Sequence, residues 1–224
     1  MDRTQSTVVT RPESVLATNK VLRNTYALLS MTLVFSAAMA GLSMVLNMPP
    51  MVSMGCSIAA IVLLWFVLPR YENSSAGIGL VFLTTGLLGF GLGPILTMYM
   101  SAFSNGSEIV MLAMGGTAVI FLGLSGYALT SRRDFGFLGP ALMVGILVAF
   151  VAGIANIFFG FQPLALAVSS MFMVLMAGLM LYQTSEIVHG RETNYIRAAI
   201  TFYVSIYNMF SSLLHLLGMG MGED

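Results

Sequence analysis

Charged residues are the scarcest feature of this sequence. They make up 8% of the 224 residues, whereas hydrophobic residues make up 58%. A soluble domain usually carries about 25% charged residues, so this chain cannot present an ordinary water-facing surface. The net charge is zero and no basic stripe is present, so nothing favours nucleic acid as a partner. The composition predicts an integral membrane protein.

The sequence also lacks the residues that enzymes, metal sites and disulfides need. The single Cys56 excludes an internal disulfide. The two histidines, His189 and His215, are predicted to lie toward opposite faces of the membrane. No Asp lies inside an apolar segment and no nucleophile has a matching base. We therefore predict a protein that is not an enzyme, with no catalytic residue, no metal site and no cofactor.

Long apolar runs dominate the rest of the chain. Seven of them occupy residues 24–46, 51–68, 77–100, 109–130, 137–160, 164–188 and 195–217. Each is near the ~20 residues that a helix needs to cross a bilayer, and none shows the ten-residue alternation of a barrel strand. The connections are short. These features predict an all-α integral membrane protein, a seven-transmembrane-helix bundle in which consecutive spans are antiparallel neighbours.

The basic residues all lie on one side of this predicted bundle. They are Arg3, Arg11, Lys20, Arg23, Arg70, Arg132, Arg133, Arg191 and Arg197. By the positive-inside rule the N-terminus is cytoplasmic and the C-terminus periplasmic. We predict a flexible cytoplasmic tail over 1–23, the transmembrane domain over 24–217 and a short periplasmic tail over 218–224.

The N-terminal leader, Met1 to Lys20, mixes charges and shows no helical apolar period. This pattern favours a disordered tail, which can serve as a handle for a partner. The first apolar run continues to Leu46, past the small residues near Ala38 and Ala40. The first segment is therefore predicted to be a retained span and not a cleaved signal peptide.

Two features suggest special helix contacts in the third span. Gly89 and Gly93 form a GxxxG pair, which lets a neighbouring helix approach closely. Pro94 removes one intrahelical hydrogen bond and is expected to kink the helix. The glycines and the proline indicate either close packing or a hinge that lines a cavity.

Spans six and seven hold most of the polar residues that fall inside apolar runs. Ser205 and Asn208 share one face of span seven, and Gln183 of span six can face them. We interpret these three as an interhelical polar cluster. Glu186 and Arg197 flank the six–seven turn at similar depth, which indicates an ion pair at the cytoplasmic boundary or two side chains that snorkel separately to water.

Several stretches resemble the Bax-inhibitor-motif transmembrane family across the whole chain. They are "GLGPILTMY", "ANIF" and "LYQTSEIVHGRETNYIRAAITFYVSIYNMF". The stretches "NKVLRNTYALLS" and "HGRETNYIRA" resemble more narrowly its bacterial YccA-like branch. That resemblance implies a partner of the FtsH type, a membrane-anchored ATP-dependent protease, together with HflK/HflC-type membrane proteins.

The same resemblance bears on ion conduction. Family members that leak calcium are similar in carrying an aspartate pair, one in an "LYD" stretch and one in an "LYLD" stretch. This chain has Gln183 in "LYQ" and Ser205 in "FYVS". A Gln/Ser pair neither titrates nor attracts a divalent cation, so the resemblance implies an ion switch that is disabled. The remaining role expected of Gln183 is to tie spans six and seven together.

Two functions are favoured by these observations, and a third, a purely structural partner in a larger complex, is not distinguished from the first by the sequence. The first is a non-enzymatic inner-membrane protein that binds an FtsH-type protease and inhibits it as a slow or decoy substrate, with the tail as the recognition segment. The alternative is a pH- or calcium-linked ion leak channel or transporter whose acidic dyad has been replaced. Pro94, the glycines of span three and the polar stripe of span seven favour this alternative.

Overall fold

The structure is a computed structural model that describes residues 12–221, with side chains from residue 17 to residue 220. All regular structure in this part of the chain is helical. The α-helices are α1 (Pro12–Val45), α2 (Pro50–Val62), α3 (Leu68–Tyr71), α4 (Ser75–Ala102), α5 (Gly106–Ser131), α6 (Gly139–Phe159), α7 (Gln162–Val188) and α8 (Tyr195–Met221). A π-helical turn, Leu63–Val67, joins α2 to α3, and a 3-10 turn, Gly136–Leu138, precedes α6.

Seven helical stretches of 22 to 29 residues are long and apolar enough to cross a membrane. Five lie within the single helices α1, α4, α5, α7 and α8, a sixth joins the 3-10 turn to α6 (Gly136–Phe159), and the seventh is the continuous stretch Pro50–Tyr71. The predictions of an all-helical chain and of seven spans are confirmed. The side of the membrane on which each terminus lies stays a prediction.

Local sequence accounts for several helix ends. Pro50 stands at the first position of α2, where its missing N–H is not needed. Gly160 ends α6 with a φ of 60°, a left-handed conformation that glycine adopts without strain. The π turn ends at Val67, two residues before Pro69, and the N–H of Leu68 bonds the carbonyl of Leu63. A wider turn at this point relieves the clash between a proline ring and the carbonyl four residues back.

Packing around α8 organises the bundle. This helix contacts α1, α4, α5 and α7, and its Phe202, Tyr203 and Met209 are among the most buried side chains. Consecutive spans are not always neighbours, because α1 packs mainly against α4, and the described residues give no contact between α1 and α2 or between α5 and α6. The prediction of consecutive neighbours was wrong for these two pairs. Glycines on α4 admit α1 at close range, which hydropathy does not reveal.

Both ends of the helical region differ from the predicted boundaries. Helix α1 begins at Pro12 and not at residue 24, and α8 continues to Met221 and not to residue 217. Residues 13–23 lack an apolar face but contain strong helix formers such as Leu16, Ala17 and Lys20. An existing span therefore extends through them without a new nucleation step. Residues 1–11 of the predicted tail lie outside the described residues.

The turns lie at two opposite ends of the molecule. Turns 72–74, 132–138 and 189–194 lie at the end where α1 begins, which we call the connection face. Turns 46–49, 103–105 and 160–161 lie at the opposite end. Apart from Glu108 at the start of α5, every charged side chain that the structure describes lies at or near the connection face.

Candidate functional site: the connection face and the buried polar residues

Arg191 joins two turns of the connection face. Its guanidinium donates two hydrogen bonds to the Asp134 carboxylate, from Nη1 to Oδ2 at 3.0 Å and from Nη2 to Oδ1 at 2.6 Å. The Nε of Arg191 donates to Oε1 of Glu186 at 2.7 Å. Asp134 belongs to the α5–α6 connection and Glu186 to the last turn of α7. One side chain thus ties the α5–α6 connection to the end of α7, and its planar fork suits this bidentate contact.

Arg197 forms the second junction. Its Nε donates to Oε2 of Glu192 at 2.7 Å, and its Nη1 donates to Oε1 of Glu72 at 3.1 Å. Glu72 follows α3, so this arginine links the α3–α4 turn to the α7–α8 turn. Together the two arginines connect all three turns of the connection face.

Asn194 caps α8 and strengthens the second junction. Its Oδ1 accepts hydrogen bonds from the backbone N–H groups of Ile196 and Arg197, at 2.9 and 3.2 Å. Its Nδ2 donates to the carbonyl of Glu72 and to Oδ1 of Asn73, both at 2.9 Å. A side chain that accepts two N–H groups at a helix start satisfies donors that otherwise lack a partner.

The predicted pair of Glu186 and Arg197 does not form. Glu186 contacts Arg191, five residues along the chain, and Arg197 contacts Glu192 and Glu72. Both residues lie at the connection face, but each has another partner; that this face is cytoplasmic stays a prediction. The turn between α7 and α8 carries two charged residues of its own, Arg191 and Glu192. Arg191 bonds to Glu186, and Glu192 bonds to Arg197.

The environment of Asp134 shifts its pKa. Hydrogen bonds from Arg191 and then from the backbone N–H of Gly136 lower the pKa of this carboxyl from 3.8 to about 2. The same contacts raise the pKa of the Arg191 guanidinium above its ordinary value. Because both favourable partners stabilise the carboxylate form, the contact between Asp134 and Arg191 persists throughout the neutral and mildly acidic range.

The α5–α6 connection is also fastened to α7 by a buried serine. The Oγ of Ser185 accepts a hydrogen bond from the N–H of Phe135 at 2.9 Å. His189, one turn later, lies with Nδ1 2.8 Å from the carbonyl oxygen of Ser185. These are contacts that end a helix and hold a loop. Sequence reasoning did not identify Arg191, Asn194 or Ser185, although "RETN" directly before a span is a recognisable helix-start pattern.

Gln183, Ser205 and Asn208 do not bond to one another. Ser205 Oγ donates to the carbonyl of Thr201 at 2.8 Å, and Asn208 Nδ2 donates to that of Val204 at 2.8 Å, so both bond within α8. Gln183 is 5% exposed, and its Nε2 has no hydrogen-bond partner among the described residues. The interhelical polar cluster predicted from the sequence is therefore not connected by hydrogen bonds.

A different polar contact joins the helices. Tyr203 of α8 donates its hydroxyl to the carbonyl of Thr85 in α4 at 3.2 Å and also contacts the Ser36 hydroxyl of α1. Because the Tyr203 proton is directed to Thr85, Ser36 donates to Tyr203. One tyrosine thus links three helices. The sequence offered only the weak signal that Tyr203 lies well inside an apolar span.

The glycines of α4 contact the backbone of α1. A Cβ on Gly89 would lie 2.2 Å from the carbonyl oxygen of Ser36, and one on Gly93 would lie 2.6 Å from Cβ of Ser43. Such distances leave no room for a side chain. Pro94 is buried inside the continuous helix α4. These positions agree with the close-packing interpretation of this segment.

Metal ligands do not cluster in the part of the chain that the structure describes. No three His, Cys, Asp or Glu side chains within it are placed to hold one ion. Six charged side chains of the connection face form two triplets, one around Arg191 and one around Arg197. Their arrangement fastens turns together.

Comparison with known proteins agrees with this architecture. A family model described as "Inhibitor of apoptosis-promoting Bax1" matches residues 18–222. The chain is 46% identical over 220 residues to the Escherichia coli K12 protein named "Modulator of FtsH protease YccA", covering 97% of this chain and 98% of that protein. It is also 46% identical over 212 residues to a membrane protein of Vibrio cholerae, covering 95% of each.

A further relative, from Escherichia coli O6:H1, is named "Inner membrane protein YccA" and is likewise 46% identical over 220 residues. Its name and the seven apolar helices of this chain indicate the same location. The protein described here is therefore a multi-pass protein of the bacterial inner membrane that belongs to the Bax-inhibitor family, as the match over residues 18–222 establishes.

Proposed function

We propose that this protein binds an FtsH-type membrane protease and inhibits it as a slow or decoy substrate. The observation that carries the proposal is the 46% identity, over almost the full length of both chains, to a protein named as a modulator of FtsH protease. HflK/HflC-type membrane proteins are the further partners that we propose. The protein itself catalyses no reaction in this scheme.

The contacts of α1 support a mechanism in which the protease engages the N-terminal segment Met1 to Lys20. A protease that pulls on this segment must first separate α1 from the bundle. Helix α1 is held by the close approach of Gly89 and Gly93 to its backbone and by the contact of Ser36 with Tyr203. Both contacts must break before α1 can leave the bundle. Extraction is therefore slow at its first step.

The connection face supports the same mechanism at later steps. Arg191 and Arg197 tie the α3–α4, α5–α6 and α7–α8 turns together. Removal of one helical hairpin breaks contacts to the others. Extraction of one hairpin therefore also costs its contacts to the other turns, and the protease stays occupied while other substrates survive.

The experiment measures degradation of a model membrane substrate by an FtsH-type protease in liposomes, with and without this protein. Three forms are compared: full length, lacking residues 1–11, and lacking residues 1–20. The shorter truncation leaves α1 complete from Pro12 onward. A fourth form replaces residues 1–11 by a Gly/Ser sequence of equal length, which keeps the reach of the tail but removes its sequence.

We expect the full-length protein to slow degradation and both truncated forms to lose this effect. Inhibition that survives the loss of residues 1–20 would exclude the N-terminal segment as the handle. Absence of inhibition by every form, including full length, would overturn the proposed function itself.

The alternative function, an ion leak channel or transporter, is favoured by one structural feature. Three buried polar atoms on different helices, Thr25 Oγ1, Thr84 Oγ1 and Gln183 Nε2, have no hydrogen-bond partner among the described residues. The test measures proton or calcium flux through this protein in the same liposomes. Flux that Gln183→Ala or Glu186→Ala abolishes would favour this function. Flux equal to that of empty liposomes would exclude it.

A further inference from the structure

The acidic residues whose side chains the structure describes at the connection face are all engaged internally. Arg191 holds Asp134 and Glu186, while Arg197 holds Glu192 and Glu72. The other basic side chains described at this end form no ion pair with any described residue, and all are exposed: Lys20, Arg23, Arg70, Arg132 and Arg133. Internal pairing therefore leaves positive charge facing outward at this end of the bundle.

Arg132 and Arg133 differ from the rest because they are adjacent. Asp134, the next residue, is the acid nearest to them in sequence, but both of its carboxylate oxygens accept hydrogen bonds from Arg191. The backbone around the pair is fixed, since Arg132 ends α5 through a bond from its N–H to Ala128, and Ser185 holds Phe135. Two guanidinium groups are thus kept at the end of a membrane span with no counter-ion among the described residues.

Aromatic side chains flank these two arginines in the sequence. The rings of Tyr127 and Phe135 lie with their centroids 6.0 Å apart. Tyr127 is 47% exposed and Phe137 is 74% exposed. Aromatic side chains of this kind are enriched at the level of lipid headgroups. A soluble anion gains nothing from such neighbours, whereas a phospholipid contacts them with its glycerol and acyl groups.

Helices α5 and α6, between which Arg132 and Arg133 lie in the chain, leave surface open to lipid. Helices α5 and α6 both pack on α7 but, within the described residues, not on each other. Gly123 and Gly126 of α5 have open space where a Cβ would stand. The exposed sides of α5 and α6 therefore form an apolar surface that continues from the two arginines toward the middle of the membrane.

We propose that Arg132 and Arg133 bind the phosphate of an anionic phospholipid whose acyl chains lie along the exposed sides of α5 and α6. Guanidinium groups bind phosphate oxygens bidentately. Basic side chains at the membrane boundary are attracted to anionic headgroups. The site is held open by Arg191, because release of Asp134 would place a carboxylate beside the two arginines and compete with the phosphate.

The test measures phospholipid binding to the full-length protein in a neutral detergent by native mass spectrometry. The ligands are phosphatidylglycerol, phosphatidylcholine and inorganic phosphate. The variants are Arg132→Gln/Arg133→Gln, the charge-conserving Arg132→Lys/Arg133→Lys, and the control Lys20→Gln/Arg70→Gln, which removes two charges from the same end. All of these side chains are exposed, so the variants are expected to fold.

Each basic residue near an anionic headgroup contributes about a fivefold factor in affinity, so Arg132→Gln/Arg133→Gln should weaken phosphatidylglycerol binding about thirtyfold. The lysine variant should lose less, and the control should match the unaltered protein. Phosphatidylcholine should bind more weakly than phosphatidylglycerol.

Three results would overturn the proposal. One is unchanged phosphatidylglycerol affinity in Arg132→Gln/Arg133→Gln. A second is an equal loss in the control, which would show a general effect of charge. The third is displacement of the lipid by inorganic phosphate at similar concentration, which would assign the site to a soluble anion.

Discussion

Replacement of Gly89 by alanine places a methyl group against the backbone of α1. The added Cβ would lie 2.2 Å from the carbonyl oxygen of Ser36 and 2.8 Å from its carbonyl carbon. Backbone atoms in the middle of a helix cannot rotate away as the end of a side chain can. Helix α1 as a whole must therefore move outward from α4, and this loosens the contact between the two helices.

The size of the effect follows from two opposing contributions. Overpacking of this kind costs about 1–3 kcal/mol, and a backbone clash belongs at the upper end. Alanine in place of glycine within a helix recovers up to about 1 kcal/mol. We expect Gly89→Ala to lower the free energy of unfolding by about 2 kcal/mol.

The control is Gly115→Ala in α5, where no atom lies within 4 Å of the added Cβ. This change carries the gain in helix propensity without the clash, so its stability should equal or slightly exceed that of the unaltered protein. The assay is reversible unfolding in mixed detergent and SDS micelles. Equal stability of Gly89→Ala and Gly115→Ala would refute the close contact between α1 and α4.

Three further predictions concern polar groups. Tyr203→Phe removes the hydroxyl that contacts Ser36 and Thr85, and we expect a loss of about 1 kcal/mol in the same assay; unchanged stability would argue against this link between three helices. Gln183→Leu should leave stability unchanged or raised, because the Gln183 amide is buried without a partner for Nε2 among the described residues, and a loss of more than about 1 kcal/mol would reveal an interhelical bond. Asp134→Asn tests the pKa of about 2. Since folding lowers this pKa from 3.8, the carboxylate stabilises the folded protein above pH 3.8 and loses this effect as the pH falls through 2. The difference in stability between the unaltered protein and Asp134→Asn should therefore be constant near neutral pH and disappear by about pH 2, and a difference independent of pH would contradict it.

The arginines of the connection face have two different roles. Arg191 and Arg197 compensate the acids, whereas Arg132 and Arg133 remain available to the surroundings. The proposed interaction with the protease depends on slow extraction, and the proposed lipid site on free arginines. Because different residues carry the two proposals, Arg132→Gln/Arg133→Gln should change lipid affinity without changing protease inhibition.

The sequence alone determined the number and class of the spans. A run of about 20 apolar residues must satisfy its backbone hydrogen bonds internally, so continuous hydropathy predicts a helix that crosses the membrane. The same local logic predicted close packing at Gly89 and Gly93, because small residues at helical spacing remove the steric barrier to a neighbouring backbone. Family membership could also be recognised from the sequence, through stretches such as "HGRETNYIRA".

Only the tertiary structure decided which partners these elements take. Lipid is as apolar as another helix, so hydropathy cannot tell that α1 packs on α4 and not on α2. The sequence predicted that Glu186 and Arg197 lie at similar depth in the membrane. The turn between α7 and α8 instead brings Arg191 to Glu186 and Glu192 to Arg197. Likewise Ser205 and Asn208 bond within their own helix, because a carbonyl one turn back is always within reach, whereas a partner on another helix must be brought there by packing.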